Sequence, residues 1–290
     1  TSNGNISIGN IRGTATASQV GEDVTLNAGT GTIAVANVGN SGAAEIGDID
    51  YTATTITLSG DQYATADQNG AADADTGTFE SSGITKISGD VTISTDVATG
   101  TNGTDEDGTI KFNGTGTIIG AGGTDNLTIA SGKGVITFGS TIGVSAPLDG
   151  LVINSAGSSA LTIPQIGDGT TAAGTNGTVT IGGSTTASVA LSGATYMFGG
   201  GATTIQAAGD ITTRDHADGV TILSNGNITI EPGSGSAFKT TGALLVKTTA
   251  DDNIINIKGD MTGVDATATS VETITLTDDN AGGTVKIAGN

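Results

Sequence analysis

The stretch Leu127-Thr-Ile-Ala-Ser-Gly-Lys-Gly-Val-Ile-Thr-Phe138 contains two triplets in which a threonine stands between two apolar residues, with a glycine-rich turn between the triplets. Side chains of an extended chain alternate between two faces, so the apolar pair of each triplet faces one side and the threonine the other. Glycine between the triplets supplies the backbone freedom that a tight turn needs. The stretch therefore predicts two short, half-buried β-strands joined by a tight turn.

The same triplet recurs along the chain, and related triplets carry Ser, Ala or Lys in the middle. The triplets with threonine are Val24–Leu26, Ile56–Leu58, Val91–Ile93, Leu127–Ile129, Ile136–Phe138, Leu161–Ile163, Val179–Ile181, Ile228–Ile230 and Ile274–Leu276. The related triplets are Ile6–Ile8, Ile33–Val35, Ile110–Phe112, Val189–Leu191 and Val285–Ile287. Turn-forming residues follow nearly every triplet, and glycines interrupt the windows in which a helix could form. The chain is therefore expected to be all-β.

The strands are short and irregularly spaced, and aromatic residues make up only 3% of the chain. The apolar positions hold Ile, Val, Leu and Ala, which stack well on their own kind. This favours a β-solenoid, a right-handed parallel β-helix with about 20 residues in each coil. The alternative is a tandem of β-sandwich (Ig-like) domains.

An internal repeat supports the solenoid. The segment Val24–Val35 aligns without a gap with Leu127–Phe138, and Gly29 matches Gly132 in this alignment. The offset predicts a superrepeat of about 100 residues, covering 24–126 and 127–230, within a single continuous array over residues 1–290.

Composition excludes several classes of function. The net charge of −20 leaves no basic face for phosphates, so no nucleic acid is expected as a partner. No run of 18 apolar residues occurs, so we expect no membrane insertion. The chain has no cysteine and is acidic and rich in Thr and Gly. This composition is typical of large surface proteins of bacteria and predicts secretion to the cell surface.

Several runs resemble the filamentous-haemagglutinin-type repeats of giant bacterial adhesins. They are Gly89-Asp-Val-Thr-Ile93, Asp107-Gly-Thr-Ile-Lys-Phe-Asn-Gly114, Leu127–Phe138 and its continuation from Ile142 to Ile153. The clear similarity covers residues 20–165. The resemblance implies a right-handed parallel β-helix that is secreted and has an adhesive or structural role without catalysis.

The acidic run Asp105-Glu-Asp107 is the best candidate for a metal site. Ca²⁺ takes six to eight oxygen ligands, and an EF-type loop needs ligands at positions 5 and 12. Counted from Asp105, these positions hold Thr109 and Gly116, so the EF pattern fails. Asp105 and Asp107 stay as candidate calcium ligands, with a solvated turn as the main interpretation. Gly122–Leu127 similarly resembles half of a nonapeptide calcium repeat.

The chain is not expected to be an enzyme. Its one histidine, His216, lies in a polar turn beside Asp215 and Asp218, and no nucleophile elbow accompanies it. A carbohydrate-binding or glycan-active β-helix protein is the alternative function. That function needs aromatic platforms with carboxylates on one face, and the chain has no tryptophan. We therefore expect no catalytic residue and no cofactor other than Ca²⁺.

Charge placement and strand placement both predict self-association. Residues 61–107 hold ten acidic residues and one basic residue, whereas 134–209 hold two acidic residues and no base. No capping segment is recognisable beside Ile6–Ile8 or Val285–Ile287, and solenoids normally cap such strands. We therefore expect a filament, or a piece cut from a longer array or adhesin stalk. Host or cell-surface glycans are further candidate partners.

Overall fold

The structure is a computed structural model that describes residues 4–13, 22–39, 46–65, 77–95, 108–114, 116–155, 160–169, 174–214, 219–263, 273–278 and 282–288. In this part of the chain all regular structure is β-strand. No helix there is long and apolar enough to cross a membrane. The chain divides into two compact units. Unit 1 comprises Thr1–Ser140 and Asn154–Gly157, and unit 2 comprises Thr141–Ile153 and Ser158–Asn290.

Unit 1 is built from two parallel ladders of strands. Its strands are β1 (Ile6–Ile8), β2 (Glu22–Asn27), β3 (Thr32–Val35), β4 (Ile46–Leu58), β5 (Gln62–Ala64), β6 (Phe79–Ile87), β7 (Asp90–Ser94), β8 (Ile110–Asn113), β9 (Ile118–Gly120), β10 (Asn126–Ala130) and β11 (Ile136–Phe138). One ladder runs β1-β3-β4-β6-β8-β11, with β2 also paired to β4 and β9 to β6. The other ladder runs β5-β7-β10.

Unit 2 is built from three parallel ladders. Its strands are β12 (Gly150–Asn154), β13 (Ala160–Ile163), β14 (Val179–Gly182), β15 (Ser188–Leu191), β16 (Thr195–Phe198), β17 (Thr203–Gln206), β18 (Ile211–Thr213), β19 (Val220–Ser224), β20 (Ile228–Glu231), β21 (Ala237–Thr240), β22 (Leu244–Thr248), β23 (Ile254–Lys258), β24 (Asp260–Gly263), β25 (Ile274–Asp278) and β26 (Thr284–Ala288). The ladders run β12-β14-β17-β20-β23-β26, β13-β15-β18-β21-β24 and β16-β19-β22-β25.

Every described strand pair in the two units is parallel, and each strand pairs with one in the preceding or following coil. Ile6 of β1, for example, aligns with Ile33 of β3, and Val179 of β14 aligns with Thr203 of β17. The Ig-like alternative requires antiparallel sheets, so it is wrong. The predicted all-β parallel solenoid is confirmed for each unit. The array over 1–290 stays a prediction.

The predicted orientation of the triplets is also confirmed. Val91 and Ile93 of β7 are buried, whereas Thr92 between them is half-buried and faces outward. Like residues stack in columns through successive coils. One column in unit 2 consists of isoleucine alone, at positions 153, 181, 205, 230, 257 and 287. The first five of these side chains are fully buried, and burying each contributes about 1.5–3 kcal/mol. Such columns form the core.

The coils are longer than the sequence predicts. They range from 22 residues, between Val189 and Ile211, to 36 residues, between Asp90 and Asn126. Each coil carries up to three strands with corner segments between them, and the corners differ in length. Two strands are also longer than expected, because β4 and β6 each run through a corner, with a register shift after Thr52.

The two copies of the internal repeat adopt the same local structure. Gly29 and Gly132 both have positive φ, 59° and 56°. The N–H of Gly31 donates to the carbonyl of Ala28 at 2.9 Å, and the N–H of Gly134 donates to that of Ser131 at 2.8 Å. Glycine stands where the turn needs a left-handed residue, which explains why it recurs there.

Candidate functional site

The calcium candidates Asp105 and Asp107 lie outside the described residues, but the two positions that flank their segment are described. Thr95 is buried, and its Oγ1 donates to the carbonyl of Gly108 at 2.8 Å. This hydrogen bond joins the two described residues on either side of 96–107. Whether these two aspartates bind calcium stays a prediction.

The neighbouring coil has the same kind of threonine-to-glycine hydrogen bond. Thr65 Oγ1 donates to the carbonyl of Gly77 at 3.0 Å, and the N–H of Thr65 donates to Ser94 at 3.0 Å in the next coil. Residues 66–76, which include Asp73 and Asp75, lie between Thr65 and Gly77 in the sequence and outside the described residues. Two acid-rich segments therefore start from adjacent coils at one corner of unit 1.

Asp125 has a structural role in the segment that resembles a calcium repeat. Its carboxylate is buried and accepts three backbone hydrogen bonds. Oδ2 accepts from Ala121 at 2.7 Å and Gly122 at 2.8 Å, and Oδ1 accepts from Gly89 of the preceding coil at 3.0 Å. Backbone N–H groups thus compensate the buried charge, which leaves this carboxylate committed to the turn.

Other carboxylates lie in a row on the outer face of unit 1. Asp50 of β4 is directly opposite Glu80 of β6, which is opposite Lys111 of β8. Partial burial, then the charge of Glu80 and then that of Asp48, raise the pKa of Asp50. Among the described residues, however, no group of three or more His, Asp or Glu side chains is placed to hold a metal ion.

His216, Asp215 and Asp218 also lie outside the described residues, and the expectation that the chain is not an enzyme stays a prediction. The described residue before them, Arg214, is fixed through its main chain, because its N–H donates to Leu191 at 3.0 Å.

The aromatic side chains belong to the core. Of the eight Tyr and Phe residues, seven are buried and Phe138 is half-buried. In unit 1 they form a cluster in which the Phe79 ring centroid lies 6.1 Å from that of Tyr51 and 5.9 Å from that of Phe112. The Phe112 and Phe138 rings are stacked at 5.6 Å. These rings stabilise the coils, and they do not form an exposed platform for sugar rings.

A tyrosine side chain fixes one corner in each unit, a feature that the apolar triplets do not predict. Ser59-Gly60-Asp-Gln-Tyr63 and Ser192-Gly193-Ala-Thr-Tyr196 share the pattern Ser-Gly-x-x-Tyr, and a leucine precedes both. Tyr63 donates to the carbonyl of Val35 at 2.6 Å and accepts from the N–H of Gly60 at 3.1 Å.

The second copy of this corner has the same bonds. Tyr196 donates to Ile163 at 2.9 Å and accepts from Gly193 at 2.7 Å. A Cβ on Gly193 would lie 2.4 Å from Cα of Gln165, so only glycine fits there. The repeated Ser-Gly-x-x-Tyr spacing is the sequence pattern that could have predicted this corner.

Polar side chains at the corners extend the backbone ladders from coil to coil. Asn10 Oδ1 accepts from the N–H of Asn37 at 3.2 Å, and Asn37 Oδ1 accepts from the N–H of Gln62 at 2.9 Å. In unit 2, Asn227 Oδ1 accepts from Ile254 at 2.8 Å. Lys258 pairs with Glu231 of the preceding coil at 2.9 Å. These polar groups are therefore used to hold successive coils together.

No family model, curated protein or solved structure matches the chain. The β-helix architecture implied by the resemblance to filamentous-haemagglutinin-type repeats agrees with the fold of each unit. Membership of that family stays a prediction.

Proposed function

We propose that the chain is an extracellular structural or adhesive protein that acts without catalysis, as a subunit or segment of a surface filament, surface layer or adhesin stalk. The observation that supports this most is the way polar side chains are used. In the described part of the chain, Asn10, Asn37 and Asn227 extend the ladders between coils, and Asp125 holds a turn. A protein whose polar groups serve its own coils gains stiffness and resistance to unfolding.

The secreted location is part of the same proposal. The net charge of −20 and the absence of cysteine suit a protein that stays soluble outside the cell. Stacked parallel strands also suit a structural role outside the cell, because each coil adds length and pairs with the coil before it.

The carbohydrate-binding or glycan-active alternative receives less support. Sugar rings stack on exposed aromatic faces, and the aromatic rings of this chain pack in the core. Adhesion to host or cell-surface glycans would therefore have to use hydroxyl and amide groups of the outer face, such as the row Thr180, Thr204 and Thr229.

Immunogold electron microscopy of intact source cells, with antibodies raised against the purified chain, tests the proposal. We expect gold particles on filaments, a surface layer or stalks outside the cell. Pre-immune serum is the control. Label confined to the cell interior would overturn the proposal. Beads coated with the chain then separate the roles, because an adhesive protein retains cells or glycans and a purely structural one does not.

A further inference from the structure

Six asparagines of the chain stand two residues before a serine or threonine, in the sequence pattern that accepts N-linked glycans. They are Asn5, Asn102, Asn113, Asn126, Asn176 and Asn227. Serine and threonine are abundant in the chain, so the pattern alone does not select one site. The sugar is attached to the side-chain nitrogen Nδ2, and the surroundings of that nitrogen therefore distinguish the sites. Asn102 lies outside the described residues.

Three of the described sites have a side-chain nitrogen that donates to a carboxylate of the preceding coil. The pairs are Asn113 with Glu80 at 2.5 Å, Asn126 with Asp90 at 2.6 Å and Asn176 with Asp149 at 3.4 Å. Hydrogen bonds to an ionised acceptor are stronger than those between neutral groups. At these three sites a sugar and a carboxylate would therefore compete for the space beside Nδ2.

Asn227 has the opposite arrangement. It is exposed directly before β20, and its Oδ1 accepts from the N–H of Ile254 in the following coil at 2.8 Å. A backbone N–H needs an acceptor, so this bond fixes which atom of the amide is the oxygen. Nδ2 lies on the other side of the planar amide and points away from Ile254. It donates to no group in the described part of the chain.

The neighbour of Asn227 in the preceding coil leaves room beside this nitrogen. Thr203 pairs with Ile228, so Ala202 lies beside Asn227. Ala202 is exposed and its side chain is a single methyl group. At Asn126 the corresponding neighbour is Asp90. Asn5 uses its Oδ1 as Asn227 does, on the N–H of Thr32 at 3.1 Å, but only Asn227 has a described neighbour on both sides.

The threonine of the Asn227 site lies on the same outer face. Side chains two residues apart in an extended chain share a face. Thr229 is half-buried and faces outward, between Thr204 and Asn256 of the adjacent coils, while Ile228 is buried in the core. The two side chains that define the acceptor sequence are therefore presented together.

We propose that Asn227 carries an N-linked glycan on the outer face of unit 2. The donor is a sugar activated by a diphosphate, which a lipid or a nucleoside carries. Nδ2 attacks the anomeric carbon, and the bond from that carbon to the diphosphate oxygen breaks. The diphosphate leaves with the electron pair, and Nδ2 loses one proton to a basic group of the transferase. The inference rests on the proposed surface function and places carbohydrate at one defined position of that surface.

Glycopeptide mass spectrometry of the chain purified from its source cells tests the proposal. We expect a glycan on the peptide that contains Asn227, and lower occupancy at Asn113, Asn126 and Asn176. An unmodified Asn227 would overturn the proposal. Equal occupancy at Asn126 would overturn it too, because the hydrogen bond to Asp90 would then have no effect.

Variants at the threonine separate attachment of the glycan from folding. Thr229→Val removes the hydroxyl of the acceptor sequence and leaves Asn227 in place, so the glycan should be lost. Thr229→Ser should retain it. Thr204→Val is the matched control, since Thr204 faces outward in the adjacent coil and belongs to no acceptor sequence. Circular dichroism checks that each variant keeps its β-structure. A glycan that persists in Thr229→Val would overturn the assignment.

Amide hydrogen exchange tests the geometry of the linkage. A sugar on Nδ2 leaves Oδ1 as the acceptor of the Ile254 N–H. Protection of this N–H should therefore be the same in the glycosylated chain and in chain produced in cells without the transferase. Asn227→Ala should lose that protection. Loss of protection on glycosylation would contradict the proposed orientation of the amide.

Two incubations of the unglycosylated full chain distinguish the donors. Washed membranes of the source cells supply sugars on a lipid diphosphate, whereas a soluble extract with added nucleotide sugars supplies the other donor. Transfer to Asn227 in one of them identifies the carrier. Transfer in neither would overturn the proposal.

The outcomes separate this inference from the proposed function. Immunogold label on the cell surface with an unmodified Asn227 would overturn the glycan and leave the surface role intact. Label confined to the cell interior, with a glycan on Asn227, would overturn the proposed function and leave the modification site.

Discussion

Three buried tyrosine hydroxyls provide a matched set at the scale of single residues. Tyr63 and Tyr196 each donate to a carbonyl and accept from a glycine N–H, whereas Tyr51 Oη is buried without a hydrogen-bond partner. Burial raises the pKa of Tyr63 to about 12, so its hydroxyl keeps the proton that it donates at neutral pH.

We expect Tyr63→Phe and Tyr196→Phe each to lower the free energy of unfolding by about 1–2 kcal/mol, because each leaves a glycine N–H without its partner. Tyr51→Phe removes a hydroxyl that was buried at a cost, so stability should stay the same or rise. Urea unfolding of the three variants measures these differences. A loss in Tyr51→Phe as large as in the other two would contradict the assignment.

Two aspartates should respond to pH in opposite directions. Partial burial and the facing Glu80 raise the pKa of Asp50, so the folded state is penalised above that pKa and the penalty disappears as pH falls. The hydrogen bond from Lys239 and that from the N–H of Ala237 lower the pKa of Asp210. The stabilisation that ionised Asp210 contributes is therefore fully present above the pKa of this residue in the unfolded state. It is lost as pH falls through the lower pKa of the folded state.

Asp50→Asn should accordingly increase stability at pH 7, and the gain should shrink towards about pH 3, below the ordinary aspartate pKa. Asp210→Asn should reduce stability at pH 7 by under about 1 kcal/mol, since its pair with Lys239 is partly exposed. Thermal unfolding across this pH range measures both. Equal signs for the two variants at pH 7 would refute the argument.

At the scale of the strand, the inward and outward positions of β7 should differ sharply. Ile93 is fully buried between Tyr63 and Ile129 in the adjacent coils, so Ile93→Asp should cost about 3 kcal/mol or more. Thr92 faces outward, and a lysine there can extend its charge into solvent. Thr92→Lys should therefore cost under about 1 kcal/mol. The urea concentrations at the unfolding midpoints of the two variants measure this difference. Similar midpoints would contradict the predicted strand orientation.

Close stacking of coils should make neighbouring glycines unequal. A Cβ on Gly201 would lie 2.3 Å from the carbonyl carbon of Gly177 in the preceding coil, whereas a Cβ on Gly200 meets nothing within 4 Å. Gly201→Ala should cost about 1–3 kcal/mol because backbone must move, and Gly200→Ala should cost nothing. Thermal unfolding compares the two. Equal tolerance would show that the coils are further apart at this corner.

The sequence predicts strands at the apolar–Thr–apolar triplets and at their relatives with Ser, Ala or Lys in the middle, and all of those triplets lie in strands. It does not reveal β17 and β18, because their inward positions include Thr203 and Thr213, whose buried hydroxyls disguise the alternation. Coil length cannot be predicted from the sequence either. Corner segments such as 59–61 and 249–253 differ in length, while the strands that they join stay in register. The repeated Ser-Gly-x-x-Tyr pattern marks the tyrosine corner, but it does not show which carbonyl of the preceding coil accepts the hydrogen bond, here that of Val35 or Ile163.

For the whole molecule, net charge is the quantity that should govern association. The chain carries −20 at pH 7 and has a sequence pI of about 4.1, so repulsion between copies should weaken as acids become protonated. Light scattering should therefore rise as pH is lowered from 7 towards 4. Millimolar Ca²⁺ at pH 7 should raise it too, by screening or bridging the acidic residues of 61–107.

The double variant Asp105→Asn with Asp107→Asn separates bridging at these carboxylates from general screening. If calcium binds there, the variant should lose most of the Ca²⁺ response and keep the response to pH, because the remaining acids still titrate. Asp251→Asn with Asp252→Asn is the matched control. It removes the same charge from an exposed turn between β22 and β23, so it should keep both responses. If light scattering changes neither between pH 7 and pH 4 nor on addition of Ca²⁺, charge does not restrain assembly. Equal Ca²⁺ responses in the two double variants would reduce the role of calcium to screening.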